Sequence, residues 1–390
     1  MLNSKTRSLF SNFVGSFADA AVLFPLLVLM GQKTSFQFPM LFLSAGLLVI
    51  FSGYFFKVPM SVQPLKSIAI AAVAVGATVP EIQMSTLLLS LTFFVFLLFK
   101  AEKWLKYFSE SWIHALQVAL GVLLLKQGFD AVSNVSAGII LLVVLSSLLI
   151  YLIKKTDWPL LGILATATLG YAFISGIDWS SDQMKTLDLT FGIPIDDIRW
   201  ATVANLLLPQ IVLTMANSVI ATEYTCKFYF ENENNTQVTK TVTIPRLVKT
   251  IVASNFISAF VGGLPMCHGS GGVTALYKGG AKHWTSNLYL GFFLLGLAVM
   301  ALFFNVQLLQ FPKVIFGTLL AVVGAYHLLL TKKTWATVEG KIRLLLAVGV
   351  VLFTRNLIFV LAAQMLISLS IVGYSQFKKK IKKTQDEAYT

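Results

Sequence analysis

Val58-Pro59-Met60-Ser61-Val62-Gln63-Pro64-Leu65-Lys66 interrupts an otherwise apolar run. Pro59 and Pro64 each lack an N–H and restrict the residue before them, so continuous helix through 58–64 is disfavoured. Helix can begin at about Pro64, a favoured first-turn position. From Leu65 to Thr78 the chain is mostly small and apolar. The device recurs about two hundred residues later as Leu264-Pro265-Met266-Cys267-His268-Gly269-Ser270-Gly271-Gly272. Gly269, Gly271 and Gly272 oppose helix there, which can resume near Gly272 or Val273. Each copy comes after a glycine-bearing apolar helix, with Gly53 before the first and Gly262 and Gly263 before the second. At 1.5 Å per residue, helix over 271–281 reaches roughly 16 Å, about half of a 30 Å hydrocarbon core. Both short helices are therefore expected to succeed an extended segment, start near the midplane and run to opposite sides. Interrupted helices in matching positions of two halves point to a secondary transporter and to its site.

The rest of the chain supplies the frame. Its 390 residues are 56% hydrophobic and 12% charged, with mean hydropathy +0.78, against about 25% charged in soluble domains. Too little polar surface remains to cover a water-soluble fold, and a bilayer removes the conflict. Spans of roughly 20 apolar residues are read at 9–31, 36–56, 84–101, 109–128, 132–153 and 158–176. After a polar stretch come 201–224, 245–262, 284–304, 312–331, 340–353 and 355–374, the last two close enough to form a re-entrant pair. With the short segments 64–78 and 271–281 the total is about fourteen, seven in each half. An odd number per half turns the second copy upside down. The expected architecture is an all-α polytopic membrane protein built as a 7+7 inverted repeat. The first repeat covers 1–176, an external linker 177–200, the second repeat 201–374 and a basic cytoplasmic tail 375–390. The first apolar segment has no small-residue cleavage site and is expected to remain as a helix. The net charge of +13 fits basic cytoplasmic loops better than nucleic acid. With both termini in the cytoplasm, about 23 of the 30 Lys and Arg fall inside, as the positive-inside rule asks.

Two helix N-termini facing one another present unpaired N–H groups and two positive dipole ends, which attract an anion. Gly269, Gly271 and Gly272 let backbone approach a ligand closely. Ser61, Gln63 and Ser270 are candidate neutral donors. Lys66, in the first turn of the first short helix, adds a full positive charge; an ionisable residue at membrane depth is a functional hypothesis by default. The plainer reading is that Lys66 snorkels or pairs with an acid. Asp19 sits midway along the first span, where a carboxylate is costly unless paired or protonated. It is a candidate for a coupling proton and, equally, for an ion pair with Lys66. Asn217 and Ser218 donate to substrate or glue helices together. Glu223, at the cytoplasmic end of its span, reads as interfacial. Cys267-His268 without a second ligand pair does not make a zinc site; His268 reads as a pore-lining histidine. Cys226 and Cys267 exclude a multi-bridge disulfide framework. No phosphate-cradling G-x-x-x-x-G-K-[ST] and no G-x-S-x-G elbow is present. No metal, no cofactor and no enzymatic activity are expected.

Three stretches carry a family resemblance: Gly15 to Leu26 with Asp19, Pro59 to Ala69, and Leu208-Pro209-Gln210 with Asn217 to Ala221 and Pro265 to Gly272. Through them the chain resembles the molybdate transporter family, which is related to SulP sulfate permeases. The resemblance implies a fold shared with uracil permeases, in which a core domain of segments 1–4 and 8–11 moves against a gate domain. The first helix departs from the family's Gly-Asp-Leu-Gly-Thr, reading Ala18-Asp19-Ala20-Ala21-Val22. A STAS domain, usual in SulP permeases, is not expected, which favours the molybdate branch. The implied function is secondary active import of a small tetrahedral oxyanion, molybdate or sulfate, across a plasma or inner membrane, with a proton or sodium as coupling ion. Whether the chain works as a homodimer stays open. The alternatives are a nucleobase or other anion permease of the same fold, and an anion channel.

Overall fold

A computed structural model describes residues 4–100, 110–155, 197–231, 238–303 and 312–371, with isolated positions between 166 and 193. Most of the expected segment 158–176, most of the linker and the tail lie outside the described residues. In the first half the elements are α1 (Ser4–Ser16), α2 (Ala20–Lys33), α3 (Phe38–Phe56), β1 (Val62–Pro64), α4 (Lys66–Val75), α5 (Val79–Leu98), α6 (Glu110–Val132) and α7 (Gly138–Lys155). In the second half α8 (Trp200–Leu213) runs through a π-helical stretch, Thr214–Ile220, into α9 (Ala221–Phe230). Next come α10 (Ile244–Val261), β2 (Met266–His268), α11 (Ser270–Lys278), α12 (Ser286–Phe303), α13 (Lys313–Leu329), α14 (Val338–Thr354) and α15 (Leu357–Ile371). Among the described residues six helices are long and apolar enough to cross a membrane.

Two expectations are corrected. The first span is not one helix: α1 ends at Ser16, a turn holds Phe17 to Asp19, and α2 begins at Ala20. Gly15 lies at that break, where an added Cβ would stand 2.3 Å from the Ala281 backbone N. The fourth span starts at Val79 rather than 84. Its start is a capping box, with Thr78 Oγ1 accepting from Glu81 N–H and Glu81 accepting from Thr78 N–H, and with Pro80 in the first turn. A polar start hid five residues of helix from a reading by hydrophobicity.

Helices pair across the halves. α3 packs on α12 and α5 on α10; α6 packs on α13; α7 packs on α13 and α6 on α14; α4 packs on α8 and α1 on α11. Numbering the segments by half, each of these contacts maps onto another of them when the halves are exchanged. The α6–α13 pair maps onto itself. A Cβ on Gly121 would lie 2.8 Å from Gly324 O, and one on Gly324 would lie 2.8 Å from Gly121 O. Gly128 and Gly317 repeat the reciprocal approach at 2.7 Å. The two helices therefore run antiparallel with their glycines in contact, as small residues allow in membranes. The sequence carries the spacing twice, as Gly121-Val-Leu-Leu-Leu-Lys-Gln-Gly128 and Gly317-Thr-Leu-Leu-Ala-Val-Val-Gly324.

Arg199 opens the second half. Its guanidinium donates to both oxygens of the buried Glu81, Nε to Oε1 at 2.7 Å and Nη2 to Oε2 at 2.8 Å, and to Gly76 O at 2.8 Å. This ties the C-terminal end of α4 to the starts of α5 and α8.

Candidate functional site

The two interrupted segments meet. β1 and β2 pair antiparallel, with Val62 opposite His268, Gln63 opposite Cys267 and Pro64 opposite Met266. Leu65 N–H donates to Pro265 O at 3.0 Å and closes the ladder. Pairing satisfies backbone that would otherwise be orphaned where no water competes. Each extended segment is also held by an asparagine. Asn287 on α12 accepts from Met60 N–H at 3.0 Å and donates to Met60 O at 2.6 Å. Asn255 on α10 does the same for Met266, at 3.1 and 2.9 Å. These two clamps grip the methionines of the two Pro-Met pairs.

α4 and α11 start beside this ladder, at Lys66 and Ser270, and both starts line one cavity of about 270 Å³. Its walls include Asp19, Gln63, Lys66, Ser67, Gln210, Asn217, Ser218, His268, Gly269, Ser270, Gly271 and Gly272. α13 closes the far side with Leu319, Val322, Val323, Tyr326, His327 and Leu330, and α6 contributes Leu120. Of the residues expected at the site, Ser61 alone does not line the cavity. Asn217 and Ser218 reach it from the π-helical stretch, an element frequent at functional sites. Asn217 Oδ1 is taken by Gln117 Nε2 at 3.0 Å.

The lining residues divide by what they have left to offer. Ser61 Oγ donates to Asp19 Oδ2 and Gln63 Nε2 to Asp19 Oδ1. Ser61 thus spends its one hydroxyl hydrogen, and Gln63 one amide hydrogen, on the carboxylate. Asp19 forms no salt bridge with Lys66 among the described residues. His268 Nδ1 contacts Ser61 O at 3.2 Å and Nε2 contacts Thr250 Oγ1 at 2.8 Å, so both ring nitrogens are engaged within the protein. A carbonyl only accepts, which places the proton on Nδ1. On α4, Gln210 Oε1 already accepts from Ile68 N–H at 3.2 Å. On α11 the first intrahelical bond comes from Val273 N–H to Gly269 O, at 2.9 Å. The N–H groups of Ser270, Gly271 and Gly272 precede it and are left at the helix start. Lys66 forms no hydrogen bond or salt bridge among the described residues, and Ser67 Oγ and Gln63 Oε1 are buried without a partner.

The glycines differ in the same way. A Cβ on Gly272 would fall 2.0 Å from Ser61 Oγ and 2.5 Å from Asp19 Oδ1, and one on Gly269 2.8 Å from Gln63 Oε1. Those two glycines admit the Asp19–Ser61–Gln63 cluster. A Cβ on Gly271 would meet nothing within 4 Å, because it points into the cavity.

Reading hydrophobicity and breakers missed the strand pairing, the π stretch, both asparagine clamps and the whole α13 wall with His327. Only the clamps left a visible trace, as Asn255 and Asn287 inside apolar helices. Among the described residues no group of three or more His, Cys, Asp or Glu stands together as a metal site.

Comparison with known proteins adds the family and the fold. Molybdate transporter 2 of Arabidopsis thaliana is 34% identical over 121 residues, 30% of this chain and 24% of the relative. Molybdate transporter 1 of Chlamydomonas reinhardtii is 34% identical over 119 residues, 30% of this chain and 22% of the relative. The chain thus aligns with about a quarter of the length of these curated relatives. In fold it is similar to the transmembrane domain of a cyanobacterium bicarbonate transporter, BicA, with TM-score 0.59 and 16% identity over 92% of this chain and 97% of that one. It is also similar to SLC26A9, with TM-score 0.63 and 13% identity over 96% of this chain and 66% of that one. The family model described as "Molybdate transporter of MFS superfamily" matches residues 11–124 and 202–326, which hold both half-helices, Asp19 and Lys66. With more than half of its length matched, the chain belongs to the molybdate transporter family.

Proposed function

We propose that the protein is a secondary active transporter of a small tetrahedral oxyanion, molybdate or sulfate. The observation that carries this reading is the meeting of two half-helix starts at one cavity, with a lysine on one and free N–H groups on the other. Lys66 and Asp19 offset each other in fixed charge, and the helix ends tip the balance toward an anion. Holding a dianion mainly by dipoles and neutral donors keeps release possible.

In the proposed cycle a core of segments 1–4 and 8–11 moves against a gate of the remaining segments, within a fourteen-segment 7+7 repeat over 1–176 and 201–374. The cavity's lining supports this, because it combines residues of α2, α4, the π stretch and α11 with residues of α6 and α13. The names of the curated relatives put molybdate first. The test is uptake of radiolabelled molybdate and sulfate into proteoliposomes with mutual competition. Saturable uptake of either anion, stimulated by an ion gradient, is the expected result; flux that neither saturates nor couples makes the protein a channel.

A further inference from the structure

His327 lies on the cavity face of α13, in register with Leu319, Val322, Val323, Tyr326 and Leu330 at helical spacing. That face is otherwise apolar apart from the tyrosine. The ring is 5% exposed and its Nδ1 is buried without a hydrogen-bond partner. A buried polar nitrogen left unsatisfied is costly; Nδ1 has almost no accessible surface, so the nitrogen that can meet a ligand in the cavity is Nε2, which also forms no hydrogen bond among the described residues. A neutral imidazole carries one N–H and can hold it on either nitrogen. An oxyanion offers only acceptors. The same cavity is lined by Lys66 at the start of α4 and by Ser270, Gly271 and Gly272 at the start of α11.

We propose that His327 is a substrate ligand carried by the gate, its ring N–H donating to an oxygen of the oxyanion that α4 and α11 hold from the core. The proposal rests on the oxyanion reading above and adds the residue that joins the two domains through the ligand. It selects for anions whose oxygens point in several directions. A tetrahedral anion can face the core with some oxygens and His327 with another, whereas a compact monatomic anion cannot span both walls. Cys267 and Asp19 line the same cavity without entering this argument.

The test is equilibrium binding of molybdate to purified wild type, His327→Leu, His327→Gln and Lys66→Met, each checked as a monodisperse folded protein. His327→Leu removes a neutral donor and is expected to weaken binding about three- to tenfold. His327→Gln keeps a donor and is expected to bind within about twofold of wild type. Lys66→Met reports on the parent reading by itself. If Lys66→Met weakens binding while His327→Leu binds as wild type, His327 is not a ligand and the oxyanion site stands. Equal loss in the Leu and Gln variants also overturns the proposal, because it marks lost packing rather than a lost donor. If wild type binds neither molybdate nor sulfate, the oxyanion reading fails and His327 falls with it. A second measurement covers poor folding of His327→Leu. His327→Cys, in a chain whose Cys226 and Cys267 are alanine, is expected to react with a small thiol reagent more slowly when molybdate saturates the site. An unchanged rate overturns the proposal.

Discussion

Lys66 is an ammonium at the start of a half-helix, with no hydrogen bond or salt bridge among the described residues and one face on the cavity. Lys66→Met keeps most of the stem volume and removes the charge. A charge-assisted hydrogen bond is worth about 1.5–3 kcal/mol, so molybdate affinity is expected to fall about ten- to a hundredfold in an equilibrium binding assay. Gly271→Val acts by another route. Its branched side chain enters open cavity rather than protein, so the variant is expected to fold and yet to lose binding. Unaltered affinity in both folded variants would remove the anion from between the half-helices. Asp19 carries the coupling hypothesis. Its two oxygens accept from Ser61 and Gln63, and a carboxylate so placed beside the proposed anion site is suited to take a proton along with a dianion. Asp19→Asn is expected to abolish stimulation of uptake by a pH gradient while leaving anion exchange; undiminished stimulation assigns coupling elsewhere. Lys66, Asp19 and Gly271 were legible as cavity-lining candidates, because an ionisable residue at membrane depth is rare and a glycine cluster next to Pro265 breaks an apolar run. His327 was not, since one histidine in an apolar helix reads as core until the empty space beside it is seen.

Among helices and strands, the breakers in the sequence place both half-helices to within a few residues: α4 begins at Lys66, near the expected Pro64, and α11 at Ser270, ahead of the expected Gly272 or Val273, so Gly271 and Gly272 lie in its first turn. The residues after Pro59 and Pro265 could be read as extended but not as paired, because a three-residue strand has no periodicity that names its partner. The β1–β2 ladder is decided by the two halves arriving at one place. The break before α2 was illegible for a similar reason. Ser16 to Ala20 holds no proline and no glycine, so propensity favours helix and only the packing of Gly15 against the 279–281 turn shows the discontinuity. The Arg199–Glu81 bond joins elements whose ends hydrophobicity places only loosely. Glu81 is fully buried and receives two guanidinium bonds and two backbone bonds. Arg199→Met leaves that carboxylate without its cation, while exposure of the Arg199 side chain lets water replace some of what is lost. A modestly lower midpoint in thermal unfolding of the detergent-solubilised protein is expected. Glu81→Gln together with Arg199→Met is expected to recover part of the loss, because the charge left unpaired is then gone. A double variant no more stable than the single one would show that the bond's contribution lies outside the carboxylate.

Exchange of the two halves maps the principal helix contacts of the molecule onto one another, and the glycine contacts of α6 and α13 map onto themselves. The proposed inversion of the halves has a consequence for transport. If each half can adopt the other's conformation, the cavity that opens to one side has a counterpart that opens to the other. Thr225, Thr274, Tyr326 and Leu330 line the cavity, and each is at least partly exposed. These residues lie near the helix ends that carry Lys227, Lys278, Lys332 and Lys333. A cluster of basic residues at one set of helix ends marks the cytoplasmic side, so the cavity is proposed to face inward. Thr225→Cys tests the orientation of the fold and of the cavity together, in a chain whose Cys226 and Cys267 are alanine. A membrane-impermeant thiol reagent is expected to label it in inside-out vesicles and to leave it unlabelled in right-side-out cells. Saturating molybdate is expected to slow the labelling, since the anion sits deeper in the same cavity and favours closure of α13 over it. Labelling from the outside alone would invert the topology, and with it the assignment of the basic loops to the cytoplasm. Labelling from both sides at equal rates would mean that the cavity samples both openings freely. The resting population would then be set by the ligand and the ion gradient rather than by the packing of the two halves.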